Sequence, residues 1–460
     1  MPIRYTARTN VWTMTRLFGA WRDPSELIAE GAARREKVPV EELTRYAPMA
    51  DRPDPVRLVE ATNVDRVEEL IPIRFERMAQ SPFTFLRGAA AVMAADIADG
   101  PTSGYTGHIC GDAHASNFGL YASPERRQIM DVNDFDETVQ GPWEWDLKRL
   151  VASLVVAARS SGLPESAGRT AARDCAGGYR AALAELAEMS LFEGHCMTTS
   201  IETLEKIDIK DIEDTFDRVR KKARKNTSRR AAERFAQRPS VDEWHFVADP
   251  PVLTHISEEE RAAVLAGLDG YAETLDEEMR WLLSRYTVAD VAHRIVGLGS
   301  VGLRSYVVLL HGNGDEALIL QVKQARQSAL APYVGPSPHK HEGERVIYGQ
   351  RWMQTVSDVL LGWTTVDGRP FLVRQFRDMK GSIDPSLLKA GQLDDYARVV
   401  GVVLARAHAQ SIDPRVLHGY ADADGEGFDN AFARFAVAYA DQTEADHARF
   451  RGDLGRLLGP

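Results

Sequence analysis

Apolar residues recur every three or four positions along much of the chain, which is the spacing that places side chains on one face of an α-helix. Helices with this pattern are predicted within residues 66–98, 141–162, 341–361 and 396–411, and over most of residues 162–290. A further helix is predicted to start at Asp23-Pro24, because Asp is a favoured N-cap and Pro a favoured first residue. The larger part of the protein is therefore expected to be helical.

From Val291 the pattern becomes typical of β-structure. Residues 303–310 (LRSYVVLL) and 318–323 (LILQVK) are rich in β-branched and large apolar side chains, and the HGNGDE segment between them is typical of a turn. Another strand is expected in RPFLVRQ, residues 369–375. The sequence thus predicts an α+β fold with a small antiparallel sheet.

The overall composition narrows the class of protein. With 460 residues, two or three packed units are expected. A formal net charge of −11 argues against a general nucleic-acid binder, which needs a basic surface. The three cysteines are widely spaced and favour neither a disulfide framework nor a zinc site. No secretory signal and no membrane-spanning apolar run is recognisable, so we expect a cytoplasmic protein.

Candidate chemistry is concentrated in residues 111–137, GDAHASNFGLYASPERRQIMDVNDFDE. Phosphoryl transfer requires a carboxylate that accepts or orients the proton of the attacking hydroxyl, and oxygen ligands for Mg²⁺. Asp112 is the candidate base, Asn117 and Asp134 are candidate metal ligands, and Asp136 is a possible further ligand. Short clusters of Asp, Asn and Gly also form ordinary turns, so the motif needs support from elsewhere in the chain.

That support comes from a glycine motif and a lysine. Gly297, Gly299 and Gly302 form GxGxxG, and the residues that follow are of β-type. A dinucleotide-binding fold would need a helix there, whereas a glycine loop between two strands covers the nucleotide phosphates in kinases. Lys323, near the end of the next strand, is the candidate phosphate-binding lysine. A dinucleotide-dependent oxidoreductase is accordingly the least favoured class.

Two features keep alternatives open. The expected carboxylate partner of Lys323 is Glu344 in the following helix, with Glu342 and Gln350 as competitors. Residues 218–230 (RVRKKARKNTSRR) contain eight Lys or Arg and no acidic residue. Such a run is usually a solvated face, but it could also attract an anionic substrate or partner.

The GDxHxxN and DFD motifs resemble the catalytic and metal-binding loops of aminoglycoside-phosphotransferase-like kinases, within the protein-kinase-like superfamily. Over nearly its full length the chain resembles the DUF2252 family of bacterial kinase-like proteins. The segments that carry this likeness are SPFTFLRGAA, GDAHASNFG, NDFDET, GPWEWDLKRL, VGLGSVG, LQVK, GERV, LLGWT and AYADQ. In the kinase-like families an Asp in the position of Asp146 braces the catalytic loop, so the resemblance implies a structural role for it. The His-Arg that precedes the catalytic Asp of protein kinases is replaced by Cys110-Gly111, so control by a phosphorylated activation loop is not expected.

The order of the motifs is inverted, because the glycines and Lys323 follow Asp112. The resemblance therefore implies a circularly permuted, two-lobed kinase-like fold, in which the helix within 396–411 leads into the Asp112 loop. The expected units are an N-terminal helical extension and linker (1–65), a helical large lobe (66–290), a β-rich nucleotide-binding lobe (291–380), and C-terminal helices that complete the large lobe (381–460).

The function implied is transfer of a phosphoryl group from ATP, with Mg²⁺, to a hydroxyl acceptor that is expected to be a small molecule. Two alternatives stay open: nucleotidyl transfer on the same fold, with the nucleotide reversed, and a catalytically weak nucleotide-binding regulatory protein. The acceptor and the oligomeric state do not follow from the sequence.

Overall fold

The structure is a computed structural model that describes residues 19–204, 207, 209–237, 244–295, 301–314, 316–422 and 426–459. It is a mixed α+β protein with antiparallel sheets, as predicted. None of the described helices combines the length and apolar character needed to cross a bilayer.

The helices in the first half of the described chain are α1 (Pro24–Lys37), α2 (Val40–Leu43), α3 (Pro55–Ala61), α4 (Ile71–Met78), α5 (Pro82–Gly88), α6 (Ala90–Ile97), α7 (Trp143–Ser160), α8 (Glu165–Glu188), α9 (Leu191–Cys196), α10 (Ile201–Leu204), α11 (Glu213–Arg224) and α12 (Ser228–Phe235). Those in the second half are α13 (Glu258–Ala272), α14 (Glu277–Leu283), α15 (Glu342–Met353), α16 (Ala390–Ala409), α17 (Pro414–Ala421), α18 (Glu426–Gly452) and α19 (Leu454–Leu458). The predicted start of α1 is confirmed, because the Asp23 side chain accepts a hydrogen bond from the Ser25 N–H.

The strands are β1 (Thr106–Ile109), β2 (Phe118–Ala122), β3 (Gln128–Val132), β4 (Val139–Pro142), β5 (Ala236–Gln237), β6 (His245–Phe246), β7 (Leu253–His255), β8 (Thr287–Arg294), β9 (Ser305–His311), β10 (Ala317–Gln324), β11 (Gly362–Val366), β12 (Arg369–Gln375) and β13 (Gly381–Ser382). Six of them form an antiparallel sheet in the order β11-β12-β10-β9-β8-β7. β13, β2 and β3 form a second sheet, and β1 pairs with β4.

The six-stranded sheet is covered on both faces, which explains why β9 and β10 are apolar almost throughout. Alternate residues of a strand point to opposite faces. Val308 packs in one cluster with Tyr271 of α13, whereas Leu309 packs in another with Phe235 of α12. The predicted strands 303–310 and 318–323 are confirmed as β9 and β10, with a turn between them at Gly314, which has a φ of +66°.

A bundle of α7, α8, α16 and α18 forms the main helical core. Every residue of α7 from Trp143 to Ala158 is buried. The face of α16 that was expected to be apolar is buried as well, at Val400, Val403, Leu404 and Ala407. α16 also reaches β3, because Arg406 donates a hydrogen bond of 2.6 Å to the buried carboxylate of Asp131. The C-terminal part of the chain thus packs directly on the strands that carry the acidic motif.

Two predicted helices differ from the structure. Residues 66–98 form three short helices, α4 to α6, after a 3₁₀ turn at Glu68–Leu70. The helix expected over 341–361 ends at Met353. Gln354 leaves the helix with extended backbone and its side chain donates to the Val132 carbonyl, so tertiary hydrogen bonds take the place of another helical turn.

Candidate active site

Lys323 and the DFD triplet meet in the fold. The Nζ atom of Lys323, on β10, lies 2.5 Å from Asp136 Oδ2 and 3.4 Å from both carboxylate oxygens of Asp134. The Lys323 side chain is only 3% exposed, whereas that of Asp134 is 48% exposed and opens to the cleft. Burial opposes the charged form of Lys323, but the two carboxylates outweigh it and raise its pKa. Strand β10 therefore places a charged lysine in contact with the acidic loop.

Asp112 lies beside the same cleft and is held by an arginine. Arg149 of α7 donates from Nε to Asp112 Oδ1 at 2.6 Å. Its Nη2 atom, which also lies 2.5 Å from Asp112 Oδ1, donates to the Leu86 carbonyl at 2.8 Å. Burial raises the pKa of Asp112 to about 7 although Arg149 opposes the shift. A carboxylate with a pKa near neutrality is suited to accept a proton from a hydroxyl group.

The backbone before Asp112 is fixed by Asp146, near the start of α7. Its carboxylate accepts the N–H groups of Cys110 and Gly111 at 2.6 and 2.8 Å. Gly111 has a φ of +76°, and a Cβ added there would lie 2.2 Å from the Glu137 carbonyl oxygen. Only glycine combines this backbone conformation with such a close approach. These contacts agree with a structural role for Asp146.

Asn117 joins the two acidic segments. Its Nδ2 donates to the backbone carbonyls of Asp112 and Asp134 at 3.1 and 3.0 Å, and its Oδ1 accepts the Asp134 N–H at 2.8 Å. An amide oxygen has a second lone pair, so this hydrogen bond does not prevent Oδ1 from approaching a cation. Asn117 therefore sets the distance between Asp112 and Asp134.

The side chains of Asn117, Asp134 and Asp136 offer oxygen donors, which are the ligands that Mg²⁺ prefers. In the part of the chain that the structure describes, no group of three or more His, Cys, Asp or Glu side chains is arranged to hold a metal. Mg²⁺ is commonly bound by one or two carboxylates together with water and substrate phosphates. Asp136 Oδ1 is buried without a hydrogen-bond partner among the described residues, so this oxygen has lone pairs that a cation could bind.

The pKa values of the two carboxylates of the triplet are shifted in opposite directions. Burial would raise the pKa of Asp134, but the charges of Lys323 and Arg374 lower it below its usual value. For Asp136, burial and the adjacent negative charge of Asp134 raise the pKa. Asp134, the more exposed of the two, is therefore the better anionic ligand.

The expected pairing of Lys323 with Glu344 is wrong. Both residues are described, and Glu344 lies 3.5 Å from His339, while Glu342 pairs with Arg345 at 2.5 Å. Gln350 donates to Gln354 instead. The two Asp side chains of the triplet already occupy the space around the Lys323 ammonium group.

Arg345 makes the connection between α15 and the acidic loop. Its guanidinium donates to the carbonyls of Thr138, Asp136 and Arg326 at 2.6, 2.8 and 2.7 Å, and its side chain is buried. Neither Arg345 nor Arg149 is among the predicted site residues. For Arg149 the signal was its position three residues after Asp146, which places both on one face of α7. For Arg345 the sequence offers no comparable signal.

The glycine motif is only partly described. Gly297 and Gly299 lie outside the described residues. Gly302 has a φ of +86°, a backbone conformation that favours glycine, and lies next to Arg66, whose guanidinium hydrogen-bonds the Val301 carbonyl. The segment does connect two neighbouring antiparallel strands, β8 and β9, as expected.

Two cavities open on either side of Asp134. One, of about 410 Å³, is lined by Asp112, Asp134 and Asp136, by small apolar residues such as Ala61 and Ala90, and by four arginines, Arg66, Arg74, Arg87 and Arg326. The other, of about 550 Å³, is lined by Asp112, Asn117 and Asp134 and by the cations Arg374, Arg377 and Lys380. These volumes are typical of small-molecule sites.

The comparison with known families agrees with the resemblance of the motifs. The family described as "Uncharacterized protein conserved in bacteria (DUF2252)" matches residues 66–453, which include every candidate site residue. No curated protein and no solved structure matches the chain. Since the match covers most of its length, the chain belongs to the DUF2252 family.

Proposed function

We propose that this DUF2252 family member is an ATP- and Mg²⁺-dependent phosphotransferase of kinase-like, circularly permuted architecture that acts on a small-molecule hydroxyl acceptor. One observation carries the proposal. Lys323 lies against Asp134 and Asp136 across 189 and 187 residues of sequence, and Asp134 borders a cavity that Asp112 and Asn117 also line. A lysine on a strand, a metal-binding carboxylate and a candidate base are the parts that phosphoryl transfer uses.

The order of elements around Lys323 supports the kinase-like part of the proposal. A strand (β8), a glycine-containing connection, a second strand (β9), the lysine strand (β10), a helix (α15) and two further strands (β11, β12) follow one another. In protein kinases a glycine-rich loop covers the phosphates and the lysine stands on the third strand. The pairing of β10 with β9 and β12 supports this assignment.

The packing of α16 supports the permutation. The Tyr396 hydroxyl donates to the Ala115 carbonyl at 2.7 Å, so a helix late in the chain touches the loop between Asp112 and Asn117. His408 of the same helix lies 3.4 Å from Asp146. A helix that leads into a catalytic loop is expected to pack against that loop. In this chain α16 makes such contacts although it follows the loop in the sequence, as a circular permutation would require.

The chemistry assigned to each residue follows from its position. Asp112 accepts the proton of the attacking hydroxyl, and Arg149 keeps its carboxylate oriented. Lys323 binds the phosphate chain. Asn117, Asp134 and Asp136 would hold Mg²⁺, which supplies positive charge to the phosphates as negative charge moves between them.

The test is transfer or hydrolysis of the γ-phosphate of ATP labelled at that position. Wild type is expected to release labelled phosphate slowly in the absence of acceptor, with Mg²⁺ required. Asp112→Asn should lower this rate by about 10²-fold or more while Mg-ATP still binds. An unchanged rate in Asp112→Asn would remove Asp112 from the mechanism.

A second candidate, nucleotidyl transfer, has one observation in its favour. The cavity on the β12 side of Asp134 is lined by Arg374, Arg377 and Lys380, where an apolar slot would suit an adenine ring better. With the nucleotide reversed, those cations would meet its terminal phosphates. ATP labelled at the α-phosphate separates the two reactions, because only nucleotidyl transfer attaches that label to the acceptor and releases pyrophosphate.

A further inference from the structure

The 550 Å³ cavity beside Asp134 continues into a second cavity of about 640 Å³. Both are lined by Asn226, Arg377, Lys380, Gly381 and Ser382, so they form one continuous depression. It runs from the candidate active site across the segment after β12 to the turn between α11 and α12. The basic run at 218–230 thus lies partly on a surface that reaches Asp134.

The outer cavity is strongly positive. We call its cationic lining the basic groove, which consists of Lys222, Lys225, Arg230, Arg234, Arg377 and Lys380. Among the described residues that line this outer cavity there is no carboxylate. In a chain of net charge −11, six basic side chains that line one cavity are an arrangement that an anion would stabilise. For Lys380, burial lowers the pKa to about 7 although Asp358, Asp134 and Asp378 oppose the shift.

Three other cations of the basic run pair with carboxylates instead. Lys221 and Arg220 lie 3.7 and 3.8 Å from Asp217, and Arg229 lies 3.2 Å from Glu233. None of these three lines either cavity. Of the run, Lys222, Lys225 and Arg230 line the outer cavity. Arg218 and Arg224 hydrogen-bond neutral groups and line neither cavity.

The groove also brings like charges together over aromatic rings. The guanidinium of Arg377 lies 5.3 Å from the centre of the Phe376 ring and 5.4 Å from that of Phe235. Arg234 stacks on Phe235 as well, at 5.2 Å. Burial and the charge of Arg234 lower the pKa of Arg377. Holding these guanidiniums together costs free energy that a bound anion would offset.

We propose that the basic groove is a phosphate-binding subsite of the candidate active site. The inference rests on the proposed function, because it gives the phosphates a position relative to Asp134 and Asp112. Several separate cations suit a ligand with more than one negative charge, and a phosphate group accepts hydrogen bonds from Arg and Lys. The phosphates belong either to the nucleotide, as its terminal groups, or to the hydroxyl acceptor.

A matched pair of triple variants tests the groove. Lys222→Gln, Lys225→Gln and Arg230→Gln remove three exposed groove cations, whereas Arg218→Gln, Lys221→Gln and Arg229→Gln remove the same charge from the same helices outside it. Binding of inorganic tripolyphosphate is measured by calorimetry at 0.15 M salt, where long-range attraction is largely screened. The groove variant should bind about tenfold or more weakly than wild type, and the control variant should bind as wild type does.

Mg-ATP and AMP identify the source of the phosphates. If the groove variant loses affinity for Mg-ATP as well as for tripolyphosphate, while AMP binding is unchanged, the subsite holds the nucleotide's terminal phosphates, in the reversed orientation that favours nucleotidyl transfer. If Mg-ATP binding is unchanged and only tripolyphosphate binding is weakened, the subsite serves a phosphorylated acceptor. Equal tripolyphosphate binding by all three proteins, or equal loss in both variants, overturns the proposal.

Asp134→Asn separates this inference from the proposed function. If neither wild type nor Asp134→Asn binds Mg-ATP, the phosphotransferase proposal fails, and the groove with it as a subsite of that reaction. A second outcome is that wild type binds Mg-ATP and Asp134→Asn does not, while the groove substitutions leave the affinity for tripolyphosphate unchanged. In that case only the groove inference fails.

Discussion

Lys323 Nζ and Asp136 Oδ2 lie 2.5 Å apart although 187 residues separate them in sequence. The lysine belongs to a six-stranded sheet and the aspartate to the loop that follows β3. Because Asp134 lies 3.4 Å from the same ammonium group, one buried cation holds two neighbouring carboxylates.

This relationship predicts a dependence of stability on Mg²⁺. Lys323→Met leaves Asp134 and Asp136 close together without the ammonium group that contacts both. The metal-free variant should therefore melt at a lower temperature than wild type, and its free energy of unfolding should be about 2 kcal/mol smaller after allowance for the exposed face of Asp134. Mg²⁺ should raise the melting temperature of the variant more than that of wild type. Scanning calorimetry with and without Mg²⁺ measures both effects. A melting temperature of Lys323→Met that Mg²⁺ does not change would contradict the assignment of the carboxylates.

Arg345 is predicted to hold the acidic loop from α15. Arg345→Lys keeps the charge but loses the planar guanidinium that reaches three carbonyl groups. Because buried carbonyls lose their donors, the variant should be less stable by about 2–3 kcal/mol. Hydrogen exchange should accelerate first in residues 134–138. Arg351→Lys, on the same helix and bound to a single carbonyl, is the control and should leave that segment protected.

Gly111 should tolerate no side chain. In Gly111→Ala the new Cβ would meet the Glu137 carbonyl, so we expect loss of Mg-ATP binding or a large loss of stability. Gly314→Ala is a matched control, because Gly314 also has a positive φ but has no atom within 4 Å of the added Cβ. The control should cost about 1 kcal/mol and leave binding intact. Equal effects of the two substitutions in urea unfolding would mean that contact with the Glu137 carbonyl does not matter.

The fold could be read from the sequence wherever one pattern dominated. The strands β9 and β10 and the helices α7 and α16 follow their apolar periodicity because each is buried on the faces that the pattern marks. The carboxylate partner of Lys323 could not be predicted. Glu344 lies in the helix that follows Lys323, where a partner is expected. The acidic group that actually contacts the buried ammonium is decided by the packing of the acidic loop against the sheet, which the sequence pattern does not show. Arg149 and Arg345 were missed because an arginine that binds backbone carbonyls looks, in sequence, like one on the surface.

A buried lysine outside the site gives the pH dependence. Lys148 is 3% exposed, and burial lowers its pKa to about 8 although Glu144 opposes the shift. In the unfolded chain the pKa is about 10.4. Between these two pKa values the unfolded state binds more protons than the folded state. The contribution of Lys148 to the free energy of unfolding therefore increases with pH, by about 2 kcal/mol from pH 7 to pH 9.5.

Lys148→Met lacks this titration and isolates it. The variant should exceed wild type in stability by more at pH 7 than at pH 9.5, as measured by urea unfolding at both pH values. Lys148→Met also removes the cation–π contact of Lys148 with the Phe435 ring, at 5.5 Å. Because this contact needs the charged lysine, its loss affects stability more at pH 7 than at pH 9.5 and cancels only in part when the two pH values are compared. A difference between the two proteins that does not depend on pH would contradict the lowered pKa.

The most direct test of the central claim is calorimetric titration of the wild-type protein with ATP, with and without Mg²⁺, beside Lys323→Ala and Asp134→Asn. The account predicts Mg²⁺-dependent binding by wild type that both substitutions weaken by about tenfold or more in folded protein. Saturation at a hundred times the dissociation constant should also stabilise wild type by about 2.7 kcal/mol. Folded wild-type protein that binds no ATP, with or without Mg²⁺, would contradict the account.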